Sequence, residues 1–253
     1  MPIVRIFSLI LALMTANFAV AQSFGEYLSL AMAGDAEAQN TVASLYQQST
    51  EVEGSLEKAA SWYLASAEQG HAEAQANLGF MYEQGHGVTQ DYFEAARWYR
   101  LAAEQNLGIA QYNLGVAYMR GRGVEGDDSQ AVEWFIKSAN QGVVGAQFNL
   151  ALMYYRGVGV EEDHSEAVGW FRKAAEQGDE ESMYNLALFI NVGIGTTEDK
   201  VRAYAWMLLA RALGSNEALR NMQILEARLS TEQVNEGYAM ATICLESNFQ
   251  ECE

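Results

Sequence analysis

The sequence is organised around the stretch from Asn106 to Gly142, which reads NLGIAQYNLGVAYMRGRGVEGDDSQAVEWFIKSANQG. This stretch is one complete copy of a unit that returns every 36 residues. All five tryptophans of the chain occupy one register of that period: Trp62, Trp98, Trp134, Trp170 and Trp206. A fixed period between about 20 and 50 residues is typical of solenoid repeats, so it predicts one elongated repeat domain within the 253-residue chain.

Composition favours an all-α fold. The only proline is Pro2, and the remaining chain is rich in alanine, glutamate, glutamine, leucine and methionine, which are good helix formers. Each repeat divides into two helices. The predicted first helices span 36–48, 72–84, 108–120, 144–156 and 180–191. The second helices begin at Asp91, Asp163 and Asp199 in three of the copies, where a carboxylate can cap free backbone amides.

The predicted repeat core combines one tyrosine from the first helices with the tryptophan of the second. Its members are Tyr82, Tyr118, Tyr154, Trp62, Trp98, Trp134, Trp170 and Trp206. Glycine occurs twice between the two helices of four copies, as in Gly121-Arg122-Gly123. These loops lack the preceding strand and the lysine of a phosphate-binding loop, so we interpret them as turns that need positive φ. No cofactor is predicted.

Both ends of the repeat array are irregular, as expected for caps. Residues 22–35 resemble a second helix without its first helix, and residues 36–214 hold the five repeats. Residues 215–253 form C-terminal capping helices and a cysteine-bearing tail, with a first-helix equivalent at 216–229. Ser230 and Gln233 predict a capping box for a last helix to about Leu245. In the first copy, Ser49 and Glu51 replace the loop glycines.

Residues 1–21 have the pattern of a secretory signal peptide. Arg5 precedes an apolar segment, and Ala19-Val20-Ala21 is a small-x-small cleavage site. The alternative is an uncleaved anchor, but the apolar run is short for a membrane span of about 20 residues. Cleavage after Ala21 predicts a periplasmic or secreted protein without a stable membrane anchor.

The chain is strongly acidic, with a formal net charge of −18. Removing residues 1–21 deletes one arginine and no acid, so 14 basic and 33 acidic residues remain and the charge becomes −19. Binding to nucleic acid depends on lysine and arginine displacing counterions, so this class of partner is excluded. The acidity is explained either by the solubility of a long surface or by a basic partner.

The two cysteines, Cys244 and Cys252, both lie in the last ten residues. In an oxidising compartment such a pair predicts a disulfide. A metal site is the alternative, but the three histidines, His71, His86 and His164, are distant in sequence. We therefore predict no metal site.

The pattern A-x-x-x-L-G-x-x-Y-x-x-G-x-G-V-x-x-D-x-x-x-A-x-x-W-Y-x-x-A-A-E-Q-G resembles the Sel-one-like repeat, a relative of the tetratricopeptide repeat. The resemblance covers residues 36–214 in five copies, with the first copy and Ile190 departing from it. It implies a right-handed superhelix of antiparallel helix pairs that acts as a scaffold for protein complexes. Exported bacterial members are similar to envelope adaptors and to regulators of signalling or polysaccharide systems.

The first helices also carry a second stripe of side chains, displaced from the repeat signature. By similarity to tetratricopeptide proteins, that face lines a concave groove, which predicts a binding site for an extended or helical segment of a protein partner. Aromatic residues and arginine most often dominate interface energy. The predicted groove residues are Phe80, Tyr112, Val116, Met119, Arg120, Phe148, Leu152, Tyr155, Arg156, Tyr184 and Leu188. The alternative is that they only pack first helix against first helix.

A second hypothesis is an enzyme that binds or hydrolyses β-lactams, as cysteine-rich relatives of the repeat are linked to that chemistry. Ser55-Leu56-Glu57-Lys58 matches the S-x-x-K pattern of such enzymes. However, Ser55 occupies the register of Asp91, which predicts that it caps a helix. The companion motifs S-D-N and K-T-G are absent from the sequence. A non-catalytic scaffold is therefore the favoured interpretation.

Overall fold

A computed structural model describes residues 24–49 and 54–252. The predicted signal peptide and its cleavage site lie outside these residues. The chain divides into two compact units. Of the described residues, 24–49, 54–110 and 122–124 belong to unit 1, and 111–121 and 125–252 belong to unit 2.

The described residues form an all-α fold of the solenoid type, without strands. Helix α1 covers residues 24–32. It is followed by α2 (Ala36–Gln48), α3 (Ser55–Glu68), α4 (Ala72–Gln84), α5 (Tyr92–Glu104), α6 (Gly108–Arg120), α7 (Asp128–Ala139), α8 (Val144–Arg156), α9 (His164–Ala175), α10 (Glu180–Val192), α11 (Lys200–Ala212), α12 (Asn216–Glu226) and α13 (Thr231–Glu246).

The predicted helix bounds agree closely with these elements. Four of the five first helices have the predicted ends, and α10 continues one residue further, to Val192. The C-terminal first-helix equivalent α12 is shorter than predicted, because it ends at Glu226 instead of residue 229. Ser230 and Gln233 form the expected capping box at the start of α13.

Aspartate caps the second helices as the sequence predicts. Asp91 and Asp163 each accept two backbone N–H groups, and Asp199 accepts one. The prediction for Ser55 is wrong: α3 begins one residue earlier than its equivalents, so Gly54 is the N-cap and Ser55 is the first helical residue. The Ser55 hydroxyl instead donates to the carbonyl of Ser49 at 3.1 Å.

The Gly-x-Gly loops need glycine for two different reasons. Gly85 and its equivalents end the first helices in the left-handed conformation, with φ of 72° at Gly85. The second glycine also has positive φ, and it lies against backbone of the preceding second helix; a Cβ on Gly87 would overlap the carbonyl of Leu56. In the first copy, α2 ends instead at Ser49 with an extended backbone, while Glu51 lies outside the described residues.

Aromatic side chains fill the cores of both units. Unit 1 buries Tyr63 and Trp98, and unit 2 buries Phe135, Phe171 and Trp206. The predicted core residues differ in exposure. Trp98, Trp170 and Trp206 are buried, whereas Trp62, Trp134, Tyr82, Tyr118 and Tyr154 are half-buried at the margin of the core. Trp134 keeps one ring face accessible to the ammonium of Lys137, which lies 3.9 Å from the ring centroid.

Glutamine pairs link each first helix to the turn that follows its second helix, a feature that the sequence analysis missed. In each pair the Nε2 of an exposed glutamine just after a second helix donates to the Oε1 of a buried first-helix glutamine at 2.7–2.8 Å. The pairs are Gln69–Gln39, Gln105–Gln75, Gln141–Gln111 and Gln177–Gln147. The first-helix members are nearly fully buried, so their amides need these partners.

The C-terminal tail is attached to unit 2 by a disulfide between Cys244 and Cys252. Within the loop that it closes, Phe249 packs against the core, and its ring reaches the turn at Gly178. None of the described helices has the length and apolar character needed to span a membrane. The described residues also contain no group of three or more metal-binding side chains.

Candidate functional site

The predicted groove residues fall on the first helices of both units. Phe80 lies on α4 in unit 1, and the other members belong to unit 2. We call the unit 2 set the first-helix stripe; it consists of Tyr112, Val116, Met119, Arg120, Phe148, Leu152, Tyr155, Arg156, Tyr184 and Leu188. Spacings of three, four, seven and eight residues place these side chains on one face of each helix.

Several side chains of the first-helix stripe also pack against other residues of unit 2. Tyr112 is half-buried, and its ring centroid lies 5.9 Å from that of buried Phe135. Phe148 has the same relation to Phe171, with a centroid distance of 5.8 Å and edge-on geometry. The hydroxyl of Tyr184 accepts a hydrogen bond from the side-chain amide of Asn221 at 2.6 Å. These side chains are therefore only partly accessible to a ligand.

Tyr155, Arg120 and Arg156 are the most solvent-exposed side chains of the stripe. Tyr155 is 39% exposed and rests edge-on against buried Phe189, with a centroid distance of 4.9 Å. Its ring also lies 5.5 Å from the ring of His164. Arg120 and Arg156 are exposed at the last turns of α6 and α8.

A cavity of about 190 Å³ lies within the stripe. The stripe residues Met119, Leu152 and Arg156 line it, together with Asn149, Met153 and Val158. Four of the six lining residues are apolar, and Arg156 is the only charged one. The cavity can therefore accept an apolar group beside a cation.

The charges around this cavity are unevenly distributed. Within the described residues, Arg120 and Arg156 form no ion pair. The nearby acid Glu162 is engaged by the Nε2 of His164 at 3.2 Å. Burial raises the pKa of Tyr154, and the charges of Glu166 and Asp163 raise it further. The two arginines therefore remain without an acidic partner among the described residues, although the chain holds 33 acidic and 15 basic residues.

Three of the cavity residues were missed by the sequence analysis. Val158 is the middle residue of a Gly-x-Gly loop, and Asn149 and Met153 lie on α8 beside the stripe. The repeat pattern contained a signal for Asn149, because asparagine recurs at Asn77, Asn113 and Asn185. No sequence signal brings Val158 to the stripe, since the fold of the loop decides where it lies.

The remaining candidate residues lie in unit 1. Phe80 is 40% exposed, and its ring lies 6.0 Å from the ring of His86. Ser55 and Lys58 of the S-x-x-K pattern are both engaged elsewhere: the hydroxyl of Ser55 donates to a backbone carbonyl, and the Lys58 ammonium lies over the ring of Tyr46. This arrangement gives Ser55 no activating contact with Lys58.

Comparisons with known proteins agree with the architecture. A family model described as the Sel1 repeat matches residues 36–71, 72–107, 108–143, 144–179 and 180–215. The chain is similar to the crystal structure of a Sel1 repeat protein from Oxalobacter formigenes, with 35% identity, a TM-score of 0.68 and coverage of 75% of each chain.

A second solved structure is a protective antigen with an SLR fold from uropathogenic Escherichia coli strains. It is 31% identical, with a TM-score of 0.62, and the match covers 87% of this chain and 56% of that one. This chain therefore spans little more than half of the antigen. A comparison with curated proteins gave no match.

Proposed function

This chain belongs to the Sel1 repeat family, and from that premise we propose that it is a non-catalytic scaffold that binds a segment of a protein partner on its first-helix stripe. Proteins of this family generally mediate protein–protein interactions. The partner segment would lie across α6, α8 and α10 of unit 2.

One observation carries the proposal: the stripe contains a cavity instead of closing completely. The cavity is open to solvent, since two of its lining residues, Arg156 and Val158, are exposed, so a partner side chain can reach it. A cavity lined by Met119, Leu152 and Arg156, with Tyr155 exposed beside it, has the mixture of apolar, aromatic and arginine groups that is frequent at interface centres.

The setting of this scaffold is the bacterial cell envelope. Two features support that part of the proposal: the signal-like sequence of residues 1–21 and the disulfide between Cys244 and Cys252, a bond that persists in oxidising compartments. Within the envelope, the partner would belong to a signalling or polysaccharide system, in line with the resemblance to exported members of the family.

The experiment is a capture from the native envelope fraction with the chain from Gln22 onward. The informative variant is Tyr155→Ser. A matched control is Tyr238→Ser, because Tyr238 is also a partly exposed tyrosine of unit 2 that rests edge-on against one buried aromatic ring, that of Tyr204. Tyr238 lines a separate cavity of about 370 Å³, so loss of the partner by this variant alone would move the site from the stripe to that cavity. We expect the parent chain and the control to enrich the same partner and Tyr155→Ser to lose it.

Thermal melts of all three proteins establish that each is folded. If Tyr155→Ser and Tyr238→Ser capture the partner equally well, the stripe is not the binding face. Capture of nothing by a folded parent chain would count against the scaffold itself.

A further inference from the structure

We infer that the stripe of unit 2 recognises an acidic segment, in which one apolar side chain enters the cavity beside Arg156 and a neighbouring carboxylate pairs with the Arg156 guanidinium. This inference rests on the proposed function and specifies the chemistry of the partner. It differs from one of the two explanations of the net charge given above, a basic partner, and agrees with the other, the solubility of a long surface.

The size and lining of the cavity suit a single side chain. Its volume of about 190 Å³ is below the range of about 300–1,000 Å³ that is usual for small-molecule sites. The apolar lining includes Met119 and Met153, whose flexible thioether side chains adapt to apolar groups of different shape. The cavity thus accepts a leucine-like or aromatic side chain without demanding one of them.

The charge at the cavity selects against a basic segment. Arg156 is exposed, lines the cavity, and forms no ion pair within the described part of the chain. The chain holds 33 acidic and 15 basic residues, yet none of the acids that the structure describes pairs with this guanidinium. Arginine binds a carboxylate through paired hydrogen bonds, so an acid beside the apolar side chain completes the contact.

A second guanidinium extends the same preference along the stripe. Arg120 lies 36 residues before Arg156, at the same position of the preceding first helix, and it also has no ion pair among the described residues. A segment that crosses from α8 to α6 therefore meets a second cation. We therefore expect the segment to carry two acidic residues, one that pairs with Arg156 and one that pairs with Arg120.

A structural role for these arginines must be separated from recognition. Both lie in the last turn of a helix, where a cation is stabilised by the helix dipole. Arg211 provides a matched control, because it is an exposed arginine in the last turn of α11 in unit 2 and lines a separate cavity of about 370 Å³ between α11 and α13. A preference for acids that disappears in Arg211→Glu would therefore place the binding at that cavity and overturn the inference. Arg156→Glu and Arg211→Glu make the same change of charge at the same kind of helix position.

The test is a selection of random 12-residue peptides, displayed on phage, against the chain from Gln22, against Arg156→Glu and against Arg211→Glu. On the parent and on Arg211→Glu, we expect enrichment of peptides that carry aspartate or glutamate next to a large apolar residue. On Arg156→Glu, we expect lysine or arginine to replace the acid.

An enriched peptide is then synthesised for affinity measurements. Arg156→Gln should weaken its binding by about tenfold or more, because hydrogen bonds to charged groups are lost. Replacing the peptide acid by its amide should weaken binding to the parent by a similar factor and have little effect on Arg156→Gln. Binding to the parent should also weaken with added salt.

Failure of the inference and failure of the proposed function give different results. Enrichment of peptides without acids, or of the same peptides on the parent and on Arg156→Glu, would overturn the inference and leave binding at the stripe intact. If no peptide is enriched on the folded parent chain, both the inference and the binding of segments on the stripe are wrong.

Discussion

One register of the repeat is built differently in the two units. In unit 1, buried tyrosines of the second helices donate to polar residues of the first helices: Tyr63 to Gln47 and Tyr99 to Glu83, each at 2.8 Å. In unit 2, phenylalanine occupies the tyrosine positions, as Phe135 and Phe171. The positions of Gln47 and Glu83 become Met119 and Tyr155.

The difference explains where a binding site can form. A buried hydroxyl needs a hydrogen-bond partner, so the half-buried Glu83 is kept as the acceptor of the Tyr99 hydroxyl in unit 1. Phenylalanine has no hydroxyl, so the first-helix residues opposite it do not have to accept a hydrogen bond. In unit 2 one of them lines the cavity and the other is 39% exposed. The unit that lacks the two buried tyrosine hydroxyls is thus the unit that carries the first-helix stripe.

The largest effect is expected from the aromatic core of unit 2. Phe171 is fully buried and contacts the rings of Phe148 and Phe189. Phe171→Ala should lower the free energy of unfolding by about 3–5 kcal/mol, since it leaves a cavity in a packed core. Urea denaturation followed by circular dichroism measures the loss. A loss below about 1 kcal/mol, which is well under the expected range, would mean that the packing of this register contributes little to stability.

The tyrosine pair of unit 1 should show strong coupling. Glu83→Leu removes the acceptor of the Tyr99 hydroxyl and should cost about 1–3 kcal/mol, because the hydroxyl stays buried without a partner. Adding Tyr99→Phe reproduces the unit 2 arrangement and should restore most of the loss. A double-mutant cycle measures the coupling. Gln84→Leu, a change at an exposed neighbour on α4, is the control. If the changes in unfolding free energy of the two substitutions simply add, Tyr99 and Glu83 are not coupled.

The reverse exchange in unit 2 sharpens the same comparison. Phe135→Tyr places a hydroxyl at a fully buried position opposite the register of Met119, which offers only a weak acceptor. We expect a loss of about 1–2 kcal/mol in unfolding free energy. Met119→Gln, which copies Gln47 of unit 1, should recover it. A destabilised double variant would indicate that the backbones of the two registers differ as well as the side chains.

The smallest effect is a dependence on pH. Burial, followed by the hydrogen bond to Glu83 and its charge, raises the pKa of Tyr99 above the ordinary value of 10.0. The protonated Tyr99 side chain therefore makes its full contribution to the free energy of unfolding below about pH 10. This contribution decreases as the pH rises above the pKa that Tyr99 has in the unfolded chain. At pH 11 the loss should reach about 1 kcal/mol.

Urea denaturation at pH 9 and pH 11 tests this dependence. Tyr99→Phe should lose less stability between the two values than the parent chain does. The control is Tyr27→Phe, which changes an exposed tyrosine. If Tyr99→Phe and the parent chain lose the same amount, the titration of Tyr99 is not part of the alkaline instability.

The repeat pattern predicted local structure well. Helix ends at Gly85 and helix starts at Asp91 depend on backbone conformation and on hydrogen bonds within a few residues, and both are visible in one copy of the motif. The prediction for Ser55 was wrong because the loop before α3 is irregular, so register no longer fixes the cap. The Gln39–Gln69 type of pair was predictable from its constant spacing of 30 residues and was overlooked.

The candidate site was predicted only in part. Periodicity placed Tyr112 and Phe148 on the stripe, but it could not show that their rings rest on Phe135 and Phe171. Equally, five tryptophans in one register do not imply equal burial, and Trp134 is half-buried while Trp206 is fully buried. Burial depends on what the neighbouring helix carries, which the motif does not specify.

The sequence by itself determined the repeat, its length, the two helices of each copy, their caps and the glycine turns. These features follow from local propensity and from a periodic apolar face, both of which are properties of short segments. The tertiary structure alone decided which stripe residues remain available, where the cavity opens and that Arg156 forms no ion pair in the described part of the chain. Those properties depend on side chains that are distant in sequence and adjacent only after the helices have packed.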